Sequence, residues 1–231
     1  MGHTTNQQIV DEAITSRRSI RAFLPRPVDR SEIEEILRVA ARAPSGSNTQ
    51  PWKVYVVTGE RLKEMTTDIL EAFVSPDPGS SYTEEYRYYP SQWESPYQER
   101  RRTVGLALYQ LLGLGKEDKE GMQRQHGRNF LFFDAPVGLV FSIDKSMGIG
   151  SYIDFGCFMQ NIMTSARGRG LDTCPQAAFN KYHSIIRKHV GMPDSEIQMC
   201  CMALGYADPS KIENTLISER EPVNNFAKFI D

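Results

Sequence analysis

The sequence has no apolar run approaching the ~20 residues of a membrane helix, and its charges nearly cancel. A formal charge of −2 over 231 residues gives no electrostatic pull toward nucleic acid or an anionic membrane. The stretch MGHTTNQQIVDEA lacks the apolar centre of a signal peptide, and Asn6 breaks the myristoylation pattern, so a cytoplasmic location is expected. Histidine is scarce, and His183 and His189 stand outside zinc spacing, so no metal site is expected. There is no G-x-S-x-G elbow, no G-x-x-x-x-G-K-[ST] loop and no strand followed by G-x-G-x-x-G. Elbow hydrolases, P-loop enzymes and Rossmann dehydrogenases are disfavoured together. Cysteine is sparse too. Cys157 and Cys174 lie among apolar residues, and the adjacent Cys200 and Cys201 would point to opposite faces of a strand. All four are expected to be buried, reduced thiols.

What is present is an ordinary globular chain, 40% hydrophobic and 24% charged, long enough to bury about three quarters of its unfolded surface. A helix is expected over residues 8–16, with Ile9, Val10, Ala13 and Ile14 on one face. A second carries Ile33, Ile36, Leu37, Ala40 and Ala41 at helical spacing, opened by a Ser31/Glu34 capping box and stopped before Pro44. WKVYVVT reads as a strand, and Leu62, Met65 and Ile69 mark a helix over 60–73. Residues 75–98 break the pattern with four prolines, yet their tyrosines argue against plain disorder. Helical segments over 99–114 and on to about 129 follow. APVGLVFSID and EIQMCCMAL read as buried strands, GLDTCPQAAF as a short extended crossing, and 182–190 as a helix. The helix over 149–169 is apolar around much of its circumference, which places it centrally or at a subunit interface. Beyond Gly205 the chain is irregular, with scattered anchors Ile212, Leu216, Ile217, Phe226, Phe229 and Ile230. The class is α+β in one domain spanning 1–231.

Two stretches carry chemistry. SRRSIRAF sets Arg17, Arg18, Ser19 and Arg21 together. Cations can complement a helix C-terminus, but three arginines with a hydroxyl also suit a phosphate. ARAPSGSNTQPW packs six small or amide side chains, Ser45 to Gln50, between two prolines and before a tryptophan. That is an elaborate turn or a polar ligand surface.

Together, RRSIRAF and AARAPSGSNTQPWKVYVVT resemble the FMN-dependent nitroreductase family. The match continues through Pro175 in GLDTCPQAAF, ALGYAD and SEREPV, and lapses over 76–130. It is similar to the branch that reduces nitroaromatics such as nitrobenzoates. The resemblance implies a mostly antiparallel central sheet flanked by helices, and a homodimer whose tail, 206–231, embraces the partner. It implies FMN as cofactor, NADH or NADPH as reductant and a small aromatic acceptor, in ping-pong order. Arg17, Arg18, Ser19 and Arg220 would hold the phosphate, and Arg21 would lie at the flavin pyrimidine edge. Pro44, Ser45, Gly46, Ser47, Asn48 and Gln50 would reach the ring and ribityl chain from the partner subunit. Pro175, Gln176, Ala177 and Ala178 would run past N5, met by the Ala177 backbone N–H, with Gly205 nearby. Arg21 and Ala177 are thus the expected catalytic contacts. Two departures stand out: Ser218 replaces a lysine common in relatives, and Ala177 replaces a glutamate found in some. The aromatic segment, with Tyr82, Tyr86, Tyr88 and Trp93, is expected to form a substrate lid within a variable insertion over 76–130. Quinone or enone reduction or reductive dehalogenation of halogenated aromatics on the same flavin, a flavin carrier and a flavin-free anion-binding module are the alternatives.

Overall fold

The computed structural model describes residues 5–75 and 82–230. Helix α1 (Asn6–Thr15) leads into an extended segment, then α2 (Arg30–Ala40), β1 (Lys53–Thr58) and α3 (Gly59–Val74). After the aromatic segment come α4 (Tyr97–Leu111), α5 (Lys119–Gly127), β2 (Val137–Asp144) and α6 (Gly150–Gly168). β3 (Asp172–Gln176), α7 (His183–Val190) and β4 (Glu196–Gly205) complete the ordered elements before an irregular tail. The strands pair antiparallel in the order β1-β2-β4-β3.

β2 and β4 are central and almost wholly buried, as their unbroken apolar runs predict. Alternation along them feeds two cores. Val140, Cys201 and Ala203 face α3, α7 and Phe130–Phe133. Leu139, Phe141, Met202 and Leu204 face α2 and α6. Cys200 and Cys201 do fall on opposite faces, and burial pushes the Cys200 thiol up to about 12. Both stay protonated at neutral pH.

Two expectations about helix ends change. α2 begins at Arg30 with Asp29 as N-cap, so Ser31 lies inside the first turn and caps nothing. Glu34 pairs instead with Arg30 at 2.7 Å. The capping box in this chain belongs to α1, between Thr5 and Gln8. α1 buries no residue, and Ile9, Val10 and Ile14 are about half exposed. α6 buries Phe155, Phe158, Ile162 and Met163, yet turns Ile153, 73% exposed, outward with Gly156 and Gln160. The tail residues Ile217, Phe226, Phe229 and Ile230 are exposed as well, so they do not anchor this chain's own core. Among the described residues no helix is long and apolar enough to cross a membrane.

Candidate active site

The arginine segment owes its position to β3. Ile20 donates its backbone N–H to Thr173 (3.1 Å), and Ser19 forms an isolated parallel bridge with the same residue. Arg167 of α6 clamps the approach, donating to Ser16 Oγ (2.9 Å) and to Asp172 (3.1 Å). α1 ends at Thr15 with no basic residue in its last turn. The arginines stand beyond it.

Cys174 lies beneath this segment, its thiol pushed up to about 11 by burial against the pull of Arg21, Ser19 and Arg17. Arg21 donates its backbone N–H to Asn214 Oδ1 (2.8 Å) and its guanidinium to the Ser19 carbonyl (3.2 Å). Arg18 reaches the Asn214 carbonyl (3.4 Å). Arg220 comes from the tail, its guanidinium held by Ser218 Oγ (2.8 Å) and by the Ser218 and Glu219 carbonyls. Burial, then the like charge of Arg220, lower the pKa of Arg17. Among the described residues none of Arg17, Arg18, Arg21 or Arg220 forms a salt bridge. Like charges without a salt bridge among the described residues are the kind of arrangement that an anion would relieve.

β3 carries the chain from this site into the Pro175–Ala178 turn, where a 3-10 helix (Ala177–Tyr182) starts. Thr173 Oγ1 and Gln176 Oε1 are buried there without hydrogen-bond partners, although Gln176 Nε2 donates to the Asn129 carbonyl (2.8 Å). Buried acceptors and hydroxyls without partners invite a polar ligand. Gly205 has a different reason to be glycine. A Cβ there would come within 2.8 Å of the Pro136 ring and 3.2 Å of Phe23. It closes a packing contact at the end of β4, and no ligand role is needed to explain it.

The polar loop is built under strain. Ser47, Asn48 and Gln50 all adopt positive φ (50°, 57° and 48°), each costing about 1–3 kcal/mol for a non-glycine residue. Ser45 Oγ accepts from the Gln50 N–H (3.0 Å), and Gly46 N–H points at both Asp154 oxygens (3.3 Å). Trp52 then stacks on Phe158 at 4.7 Å and 2°, contributing about 0.5–1.5 kcal/mol beyond burial. Pro44, Ser45, Asn48 and Gln50 line a shallow cleft of about 450 Å³. Five hydrogen-bonding side chains, Ser45, Ser47, Asn48, Thr49 and Gln50, are thereby held in one unusual backbone shape.

The loop and the arginine site are not neighbours within this chain. The loop is tied to α6 at Asp154, the arginine segment at Arg167. Thirteen residues separate those two, about 20 Å along a helix rising 1.5 Å per residue.

The aromatic segment divides. Tyr86 is tied inside: its hydroxyl donates to the Met199 carbonyl and accepts from Asn180 Nδ2 (3.0 Å), and burial raises its pKa. Tyr82 packs on the core against Tyr182 at 5.2 Å. Both are held by protein partners, Tyr86 through its hydroxyl and Tyr82 through its ring. Tyr88 stays half exposed and meets Tyr89 edge-on, and Tyr89 meets Trp93 at 5.4 Å. Tyr89 lines a second cleft, about 830 Å³, together with the Pro175–Ala178 turn, α5 and Arg101. That volume suits a small-molecule site. Residues 76–81 of the expected lid lie outside the described residues.

Comparison with known proteins bears on this arrangement. The family model described as "Nitroreductase family" matches residues 14–206. The chain is 40% identical over 221 residues, 96% of both chains, to a chloronitrobenzene nitroreductase of Comamonas testosteroni. The chain belongs to the nitroreductase family. It is also 40% identical to a 4-nitrobenzoate reductase of Pseudomonas putida, over 95% of each. Among solved structures it superposes on the FMN and NADPH-dependent nitroreductase NfnB from Sphigopyxis sp. strain HMH. The TM-score is 0.92 at 35% identity, covering 96% of this chain and 99% of that one.

Several residues that position this family site carried no signal in the sequence. Asn214 is foremost: besides holding Arg21 and Arg18, its Nδ2 donates to the carbonyls of Ala22 (2.8 Å) and Asp208 (3.0 Å). A lone asparagine in an irregular tail has no spacing to mark it. Asp154 and Arg167 were likewise hidden within an apolar helix. Asn214→Ala should lower unfolding stability by about 1–3 kcal/mol, the cost of leaving part-buried backbone groups unpaired. Urea denaturation checks this, and an unchanged midpoint would assign Asn214 no structural role.

Proposed function

We propose that this protein is a homodimeric, FMN-dependent reductase of nitroaromatic compounds that uses NADPH or NADH. One observation carries the reading: Arg17 feels the like charge of Arg220, and neither forms a salt bridge among the described residues, beside the strand that leads into the Pro175–Ala178 turn. Relatives at 40% identity are nitroaromatic reductases, and the superposed structure is described as FMN and NADPH-dependent. Four free thiols accord with a cytoplasmic location.

When bound, FMN would supply the two-electron chemistry that links the dinucleotide to the acceptor. The chain supplies position and charge. Arg17, Ser19 and Arg220 hold the phosphate, with Arg18 beside them. Arg21, steered by Ser19 and Asn214, fixes a positive charge at the pyrimidine edge, favouring negative charge there as a preorganised site does. The Ala177 N–H, at the start of its 3-10 turn, would donate to N5 of the bound flavin. Reductant and acceptor take turns in the cleft over Pro175–Ala178, and the protons that nitro reduction consumes come from water, so no side-chain acid is required.

The loop Pro44–Gln50 comes to this site from the partner. A two-fold axis through the middle of α6 would set the Asp154 end of one helix against the Arg167 end of the other. Exposed Ile153, with Gly156 and Gln160 on the same outward stripe of α6, gives that crossing an apolar contact and room to approach. The exposed apolar tail then wraps the partner.

Purified protein should be yellow, bleach under anaerobic NADPH and recover colour on adding nitrobenzene. Steady-state rates should give parallel double-reciprocal lines. A colourless preparation that takes up no FMN would defeat the reading. The lid retains Tyr88–Pro96 as its working part. Shortening that stretch while keeping Tyr82 and Tyr86 should raise KM for nitrobenzene about three- to tenfold, the worth of a lost aromatic stack. KM for benzoquinone should move much less, with flavin content kept. Equal change for both acceptors would make the segment structural.

A further inference from the structure

The cleft over Pro175–Ala178 holds a cation that the reading so far leaves unused. Arg101 of α4 lines it, its guanidinium centred 5.1 Å from the Trp93 ring. It makes no salt bridge among the described residues. Lys181 lines the same cleft, as does one carboxylate, Glu84. His126 is also there, but burial holds its imidazole below the ordinary value, leaving it neutral at pH 7. The Trp93 ring, itself braced by Tyr89 at 5.4 Å, holds the planar guanidinium in place, so little freedom is lost when a ligand binds.

We propose that Arg101 is a specificity-determining residue that selects aromatic acceptors bearing a carboxylate over uncharged ones, with Tyr89 and Trp93 flanking the ring. This rests on the proposed reductase function. A guanidinium matches a carboxylate with two parallel hydrogen bonds, whereas a nitro or chloro substituent offers no full charge to pair. Glu84 opposes the same ligand, which sets a second variant of opposite sign.

The test has a binding arm and a turnover arm. Calorimetry of the purified protein should show benzoate binding more tightly than benzamide. Arg101→Gln should erase that preference, a change of about tenfold by the strength of a charge-assisted contact, and Glu84→Gln should enlarge it. Arg101→Lys, which keeps the charge without the fork, should restore part of it. The ratio of kcat/KM for 4-nitrobenzoate over nitrobenzene should follow the same order, and both effects should shrink as salt is added. An Arg101→Gln protein that keeps the wild-type preference overturns the proposal. So does one whose KM rises for NADPH over NADH with the benzoate preference intact, since the anion would then be the dinucleotide 2′-phosphate. If benzoate selectivity behaves as expected but neither nitro compound is reduced, the reductase reading falls and the assignment of Arg101 stands.

Discussion

Arg17→Ala and Arg220→Ala should each weaken FMN binding about ten- to a hundredfold. A charge-assisted hydrogen bond to phosphate is worth about 1.5–3 kcal/mol, and 1.4 kcal/mol is a factor of ten. The two guanidiniums repel one another in the free chain, and burial already lowers the pKa of Arg17. Removing one therefore relieves some repulsion, which pulls the expected loss toward the lower end of that range. Riboflavin lacks the phosphate and should bind wild type and variants alike. Flavin fluorescence titration measures both ligands. Equal FMN affinity in all three proteins would remove the arginines from the phosphate site, and equal losses for riboflavin would point to a folding defect.

Activity should reappear when two inactive variants are mixed. Asn48→Pro cannot adopt the φ of 57° at that position and loses the N–H that donates to Ser45. It should destroy the loop half of the site. Arg17→Ala with Arg220→Ala should destroy the phosphate half. If each site combines the arginines of one chain with the loop of the other, a mixed dimer carries one doubly damaged site and one intact site. Refolding the two together should then restore on the order of a quarter of wild-type turnover, the share expected from random pairing of chains of C2 symmetry. Sites built within single chains would leave every site damaged and the mixture inactive. The separation of about 20 Å between the two anchors on α6 is what makes recovery the expected result. A monomeric wild type in light scattering would also defeat it.

Helices, strands and the two chemical motifs were legible in the sequence because each is written in residues close together. The spacing of Ile33, Ile36 and Ala40, or the apolar run of β2, reports burial directly. The arginine stretch and the polar loop stood out as candidate ligand surfaces for the same reason. Partner choice was not legible. Glu34 met Arg30 rather than capping a helix, because the chain entered α2 two residues early at Asp29. Tyr86 met Met199 and Asn180 once the aromatic segment lay across β4. No local pattern distinguishes a tyrosine that will be pinned from one left free.

The sequence by itself determined the α+β class, the alternation that sends Cys200 and Cys201 to opposite cores, and the family membership. Only the tertiary structure set the charge of Arg220 against Arg17, made Asn214 the support of Arg21 and Arg18, and tied the polar loop and the arginine segment to opposite ends of α6. The physical reason is range. Secondary structure follows hydrogen bonding and burial over a few residues, whereas charge convergence and buried hydrogen bonds depend on which distant surfaces the packed sheet carries into contact.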